Sequence, residues 1–267
     1  MSTATTPAHI EVLVPDWPAP AGVRAAFTLR QGGVSARPFD SLNLGEHVGD
    51  APAAVAENRR RLRAQLHLPA EPAWLEQVHG TEVLDLDAVG ESAVADRATA
   101  GRVAPSTAAD GALTRREDRV CAVQVADCLP VLFAARDGAL VAGAHAGWRG
   151  LAAGVLEATV ARLATEPRRL IAWLGPAIGA EHFEVGAEVR TAFTQRDAGA
   201  AVAFAANARG RLQCDLVALA RTRLAALGIT AVFGGSWCTH ADHARFFSYR
   251  RDGQCGRMAA LIWLEGG

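Results

Sequence analysis

The chain has 267 residues and a mass of 28 kDa; half of its residues are hydrophobic and the formal net charge is −1. That is enough chain to bury a large core, and the near-neutral balance, with no basic stripe interleaved with aromatics, argues against nucleic acid as a partner. All 27 basic residues are arginine, which excludes P-loop and Schiff-base lysine chemistry and leaves guanidinium groups, backbone N–H groups or a metal to hold any bound anion.

Residues 1–8 read as a flexible tail. The first ten residues lack the basic start and apolar stretch of a secretory signal, and no segment approaches the roughly 20 apolar residues of a membrane span, so a cytoplasmic protein with no membrane partner is expected. Strands are predicted near 9–14, 23–29, 74–79 and 81–86. Between the second and third, a helix is predicted from Ala51 to Leu66, with Asp50 as its cap, Pro52 in its first turn and Val55, Leu62 and Leu66 on one face. Residues 88–109, rich in Ala, Gly and Ser, read as a mobile loop.

Strands follow near 120–126, 130–135, 139–145 and 169–174, with a second helix after Trp148 that turns Leu151, Val155, Leu156 and Leu163 inward. A third helix, from Asp215 to Leu227, buries Leu216, Leu219 and Leu224 and stops at Gly228; strands near 230–234 and 256–264 close the chain. Strand directly after strand over 120–145 argues against a doubly wound sheet and for a mixed α/β (α+β) sandwich of sheet and helices. No linker, repeat or charge block divides the sequence, so one domain over 1–267 is expected, and no G-x-G-x-x-G follows a strand to suggest a dinucleotide site. The five cysteines, at 121, 128, 214, 238 and 255, form an odd, scattered set without C-x-x-C, which suits a reducing compartment; Cys121, Cys214 and Cys255 read as packing residues.

Three residues stand in short motifs of their own: His79 in Q-V-H-G, Cys128 in A-D-C-L-P and His145 in H-A-G-W-R-G. Two imidazoles and a thiolate are the donors of a catalytic zinc site with one position left open. Their spacing is too long for a zinc finger, so the fold must bring them together. Cys128 and His145 are expected just past the ends of neighbouring strands, and His79 at a strand-to-turn corner where Gly80 supplies the backbone freedom. On residue types alone, two satisfied histidines and a small buried cysteine remain an equal alternative. A metal-free thiol hydrolase or deamidase, with Cys128 as nucleophile, a histidine as base and Asp127 orienting it, is a second.

The motifs Arg30-Gln31-Gly32-Gly33-Val34-Ser35, Ser41-Leu42-Asn43-Leu44-Gly45, the three above, Gly175-Pro176-Ala177-Ile178-Gly179 and Phe247-Ser248-Tyr249-Arg250-Arg251-Asp252 occur in one order over almost the whole chain. Together they resemble the YfiH family, also known as peptidoglycan editing factors and, earlier, as laccase-domain or polyphenol oxidase proteins. The resemblance implies a layered α/β sandwich and a zinc site at His79, Cys128 and His145. It also implies phosphorolysis of adenosine, inosine and methylthioadenosine, with adenosine deamination as a second reaction. Purine nucleosides and orthophosphate are then the expected partners.

Phosphorolysis needs an anion held beside a cation-like sugar, and deamination is served by a metal that lowers the pKa of bound water. Arg149, at the predicted strand-to-helix junction, is a candidate anion contact; Arg30 and Arg250 join it by resemblance. Asn43 and Gln77 are candidate amide contacts, and Asp127 a candidate proton carrier or partner of a ligating histidine. A multi-copper oxidase needs more histidines, partly as H-x-H pairs, than the eight present, and neither Met1 nor Met258 lies in a ligand motif; copper is expected only as an in vitro occupant. The family name also leaves a non-enzymatic editing factor that binds an enzyme of peptidoglycan-precursor synthesis.

Overall fold

The apolar run from 120 to 146 lies at the centre of the molecule as three wholly buried strands, β5 (Val120–Val125), β6 (Leu129–Ala135) and β7 (Val141–Ala146). The computed structural model describes residues 9–89 and 108–266; the expected tail 1–8 and most of the expected loop 88–109 lie outside them. β6 and β7 pair antiparallel, but β5 belongs to another sheet. It stands at the end of an antiparallel four-stranded sheet with β1 (Val12–Leu13), β2 (Val23–Thr28) and β13 (Met258–Leu264), in the order β1-β2-β13-β5. The chain therefore crosses from sheet to sheet at Ala126–Cys128, which is where one of the candidate ligands sits.

The second sheet is mixed and six-stranded. Its order runs from β12 (Val232–Gly234) through β8 (Leu170–Leu174), β6, β7 and β4 (Gly111–Thr114) to β3 (Val83–Asp85), with parallel pairs only at its two edges. Successive side chains of a strand point to opposite faces, and β6 has apolar residues on both. Leu132 and Ala134 join Phe27, Val123, Ala260 and Ile262 between the two sheets, whereas Val131 and Phe133 face helices on the far side. Those helices are α2 (Trp148–Ala153), α3 (Val155–Leu163), α4 (Ala187–Thr194) and α5 (Leu216–Ala226). The outer face of the four-stranded sheet, Ala26, Ala122 and Leu261 among others, packs on Leu42, Leu44 and Leu62 of the N-terminal third, where α1 (Pro52–Gln65) lies. Helix, sheet, sheet and helices thus form a layered sandwich, the mixed α/β class expected from the sequence. Each fully buried Phe or Leu in these layers contributes roughly 1.5–3 kcal/mol.

A small antiparallel sheet of β9 (Glu184–Val185), β10 (Phe204–Ala206) and β11 (Leu212–Cys214), and a one-turn helix α6 (Tyr249–Asp252), complete the described elements. Strands of two or three residues are too short to show a period, and sequence patterning missed them. No helix among the described residues is long and apolar enough to cross a membrane.

Three expectations need correction. Residues 74–79 form no strand: the Gln77 side-chain amide takes both backbone hydrogen bonds of Gln124, at 2.8 Å each, in place of a ladder. The helix after Trp148 is two helices, broken at Gly154, whose φ of +109° reverses the backbone at a residue without a Cβ. Asp50 does not cap α1; Ala51 holds the cap position, and one Asp50 carboxylate oxygen instead accepts from Ser35 and Asn43. α1 also buries polar Asn58 and Arg59, whose side chains bind the backbone of Val34, Ser41, Asn43 and Leu44 and so fix the two N-terminal motifs.

Candidate metal centre

β7 carries His145 one residue before its end, inside the strand and not past it as expected, with the side chain almost wholly buried. Cys128, half-buried, immediately precedes β6 on the crossing between sheets, and β6 and β7 are hydrogen-bonded neighbours. His79, exposed, comes from the loop before β3. The ligand atoms of these three side chains lie within 4.8 Å of one another; the imidazole centroids of His79 and His145 are 4.8 Å apart, and Cys128 Sγ is 3.8 Å from His79 Nε2. Among the described residues no other group of three donors converges in this way.

The residue that organises the centre is Asp110, which sequence reading did not single out. It is fully buried beside the start of β4, opposite β7. Its carboxylate accepts the backbone N–H groups of Val78 (3.2 Å), His79 (2.9 Å) and Gly80 (2.6 Å), and its Oδ1 lies 2.8 Å from His145 Nδ1. One carboxylate thus fixes the position of both histidines. The backbone freedom assigned to Gly80 belongs to His79 itself, which adopts φ +60° and is held there by these bonds. Burial alone would raise the Asp110 pKa, but the His145 hydrogen bond and the backbone N–H groups outweigh it and keep the carboxyl below its usual value. With a proton on Nδ1 shared toward Asp110, His145 presents the lone pair of Nε2.

Cys128 and His145 shift each other. Burial disfavours the thiolate, but the positive charge of His145 and hydrogen bonds from His145 and His79 prevail, and the thiol is held below its ordinary range. Burial likewise opposes the imidazolium, and the Cys128 thiolate together with Asp110 raises the His145 pKa above that of a free histidine. Shifts of this kind, toward thiolate on the one side and toward the protonated ring on the other, are what a cation site shows before a metal replaces the proton.

The surroundings fit a metal in donor type and in space. Tetrahedral zinc with two imidazoles and one thiolate keeps its donors about 3.3–3.6 Å apart, so a contraction of about an ångström closes the set. Gly147, between β7 and α2, leaves the room: a Cβ there would stand 2.9 Å from both Cys128 Sγ and His79 Cδ2. The motif H-A-G-W-R-G is therefore a ligand, a clearance and the first turn of a helix in sequence.

A family model described as multi-copper polyphenol oxidoreductase laccase matches residues 24–265. The protein is similar to an Escherichia coli protein named purine nucleoside phosphorylase YfiH, 52% identical over 95% of this chain and 99% of its own length. The chain belongs to the YfiH family. A Pseudomonas aeruginosa protein also named purine nucleoside phosphorylase is 52% identical over 95% of this chain and 98% of its own. The crystal structure of a Neisseria meningitidis protein, 47% identical, superposes with a TM-score of 0.87 over 96% of this chain and 99% of that one.

Other residues of the YfiH-like motifs prove to be held by the protein. Arg30 donates to the carbonyl oxygens of Asp40 and His243 and lies over the Phe247 ring. Asn43, fully buried, has both ends of its amide occupied, by Gly45, Asp50 and Arg257. Gln77 is bound to Gln124, and Arg250 donates to the Glu184 carbonyl. Asp127 is not the partner of either histidine, a position Asp110 takes; its carboxylate accepts the Thr239 hydroxyl and the Arg250 backbone N–H, both at 2.6 Å. Arg149 differs: it is exposed, its guanidinium is 4.4 Å from the Trp148 ring centroid, and it has no carboxylate partner among the described residues. Cys121, Cys214 and Cys255 are buried in the core, as expected.

Proposed function

We propose that this protein is a zinc-dependent purine nucleoside phosphorylase acting on adenosine, inosine and S-methyl-5′-thioadenosine, with adenosine deamination as a second reaction. The observation that carries the reading is the convergence of His79, Cys128 and His145 beside the clearance at Gly147. The names of the relatives support a nucleoside as substrate.

In phosphorolysis the bond from the ribose C1′ to the purine nitrogen breaks, its electron pair leaves with the purine, which takes up a proton, and a phosphate oxygen bonds to C1′. The products are ribose 1-phosphate and the free base. Zinc at the His-Cys-His centre would supply Lewis acidity to the substrate atom facing it. Asp110 holds the two imidazoles in orientation, Cys128 contributes a thiolate that lowers the net charge of the centre, and Arg149, steadied on Trp148, offers a guanidinium to an anionic or electron-rich substrate group. Asp127, whose own φ is +91°, is held in that conformation beside Cys128 by its bonds to Thr239 and Arg250.

A specific observation also favours a second reading, the metal-free thiol hydrolase: Cys128 lies beside both imidazoles, which draw its thiol below the ordinary range while it draws His145 above the value of a free histidine. Copper chemistry of the multi-copper kind has less support, because the described residues hold a single cluster of three donors and Met258 is buried within β13. Metal analysis of the purified protein, followed by chromatography of adenosine incubated with and without orthophosphate, tests the proposal. About one zinc per chain and phosphate-dependent ribose 1-phosphate are expected; inosine alone assigns the site to deamination. A metal-free protein that forms an acyl adduct on Cys128 would overturn the metal reading.

A further inference from the structure

Arg257 is anchored through its backbone and presents the recognition edge of its side chain. Asn43 Oδ1 accepts the N–H groups of Arg257 (2.8 Å) and Gly45 (2.9 Å), while the Leu44 N–H donates to the Arg257 carbonyl (3.0 Å). The Ser41–Gly45 motif is therefore laced to the residue immediately before β13. The guanidinium lies over the Tyr249 ring, 5.8 Å from its centroid, and only Nη1 is hydrogen-bonded, to the carbonyl oxygens of Cys255 and Gly256 and to Cys255 Sγ. Nε and Nη2 form the two-donor edge that grips carboxylate or phosphate oxygens side by side. They have no hydrogen-bond or carboxylate partner among the described residues.

One more group meets there. Gln124 is only 6% exposed, and its side-chain amide oxygen is buried without a donor among the described residues. A Cβ at Gly45 would stand 2.7 Å from Arg257 Cγ and 3.2 Å from Gln124 Oε1, so the glycine lets the loop close over both. Arg59 is paired with Glu46, whereas Arg257 has no carboxylate partner among the described residues.

The chain path puts the group at the metal centre. Met258, next to Arg257, pairs with Val125, three residues before Cys128. Gln77, two residues before His79, is bonded to the backbone of Gln124.

We propose that Arg257, with Gln124, forms an oxyanion subsite beside the metal centre that takes orthophosphate. This rests on the phosphorylase reading. The Nε–Nη2 edge holds two phosphate oxygens, and the P–OH of hydrogen phosphate supplies the donor that the Gln124 amide oxygen lacks. Asn43 acts through Arg257 as a positioning residue and does not touch the ligand.

The test is calorimetric titration of orthophosphate into the metal-replete full chain, wild type against R257M and R257K, with metal content measured on each. The expected result is saturable binding by the wild type, a loss of roughly tenfold to hundredfold in R257M, and an intermediate loss in R257K, which keeps the charge but not the two-donor edge. Equal affinity in wild type and R257M overturns the subsite and leaves phosphorolysis standing. If R257M loses its metal, R257K decides: weaker binding with metal retained supports the subsite, unchanged binding overturns it. A wild type that binds no orthophosphate also overturns it, and the assay for ribose 1-phosphate then judges the reaction separately.

Discussion

Asp110 and His145 are joined twice, once through the backbone, where the His145 N–H donates to the Asp110 carbonyl at 2.6 Å, and once through the side chains, where His145 Nδ1 meets Asp110 Oδ1 at 2.8 Å. The same carboxylate collects three consecutive N–H groups around His79. A ligand on a rigid strand and a ligand on a loop are thereby referred to one buried charge.

Asp110→Asn keeps the size of the side chain but removes that charge and turns an acceptor into a donor. Metal affinity is expected to fall by roughly tenfold to hundredfold, read by competition with a chromophoric chelator. An unchanged affinity would show that the histidines hold their places without Asp110.

Gly147→Ala introduces a Cβ 2.9 Å from Cys128 Sγ and from a His79 ring carbon. Backbone conformation is not the obstacle, since the residue is extended with φ −61° and ψ 157°. The substitution should therefore lower metal content and activity far more than thermal stability, and calorimetric unfolding beside metal analysis separates the two. A variant with full metal occupancy contradicts the assigned clearance.

Cys128 should be the thiol that reacts first in the chelated protein. Its pKa is lowered, so its thiolate persists below the usual thiol range of about 8.5, whereas burial raises Cys121, Cys214 and Cys255 above it. Iodoacetamide labelling followed by peptide mass analysis should find Cys128 modified at neutral pH, with the half-maximal pH shifted down and with zinc protecting. Preferential labelling of any of the three buried cysteines would contradict the shift.

Asp127→Ala removes the acceptor for Thr239 and Arg250 and leaves a residue with φ +91° and no side-chain oxygen. A loss of roughly 2–4 kcal/mol in urea unfolding is expected, with Asp127→Asn milder because asparagine tolerates the left-handed backbone. If Asp127→Asn keeps its stability and its metal but loses turnover, the carboxylate takes part in the chemistry.

The three donors and the long elements were legible in the sequence. Largely apolar runs at 120–126, 130–135 and 139–145 marked central strands, because residues buried on both faces leave no polar alternation; Leu216, Leu219 and Leu224 marked a helix, because their spacing makes one stripe. The ligand trio was legible as residue types in distinctive motifs. Which motif polar residues were spent inside the protein was not. Arg30, Asn43 and Gln77 carry the same chemistry whether they face a substrate or a carbonyl oxygen, and only their neighbours decide.

Asp110 was out of reach for a related reason. A single aspartate after a stretch rich in small residues has no periodicity and no motif, and its meaning comes from β4 lying beside β7, a pairing between residues some thirty positions apart. The sequence by itself determined the class of fold, through local period, and offered the donor set as residue types in motifs that resemble those of the YfiH family. The tertiary structure alone decided which carboxylate orients the histidines and which arginine keeps an open edge, since hydrogen bonds are made between neighbours in space, and the sheet crossing at Ala126–Cys128 chose those neighbours.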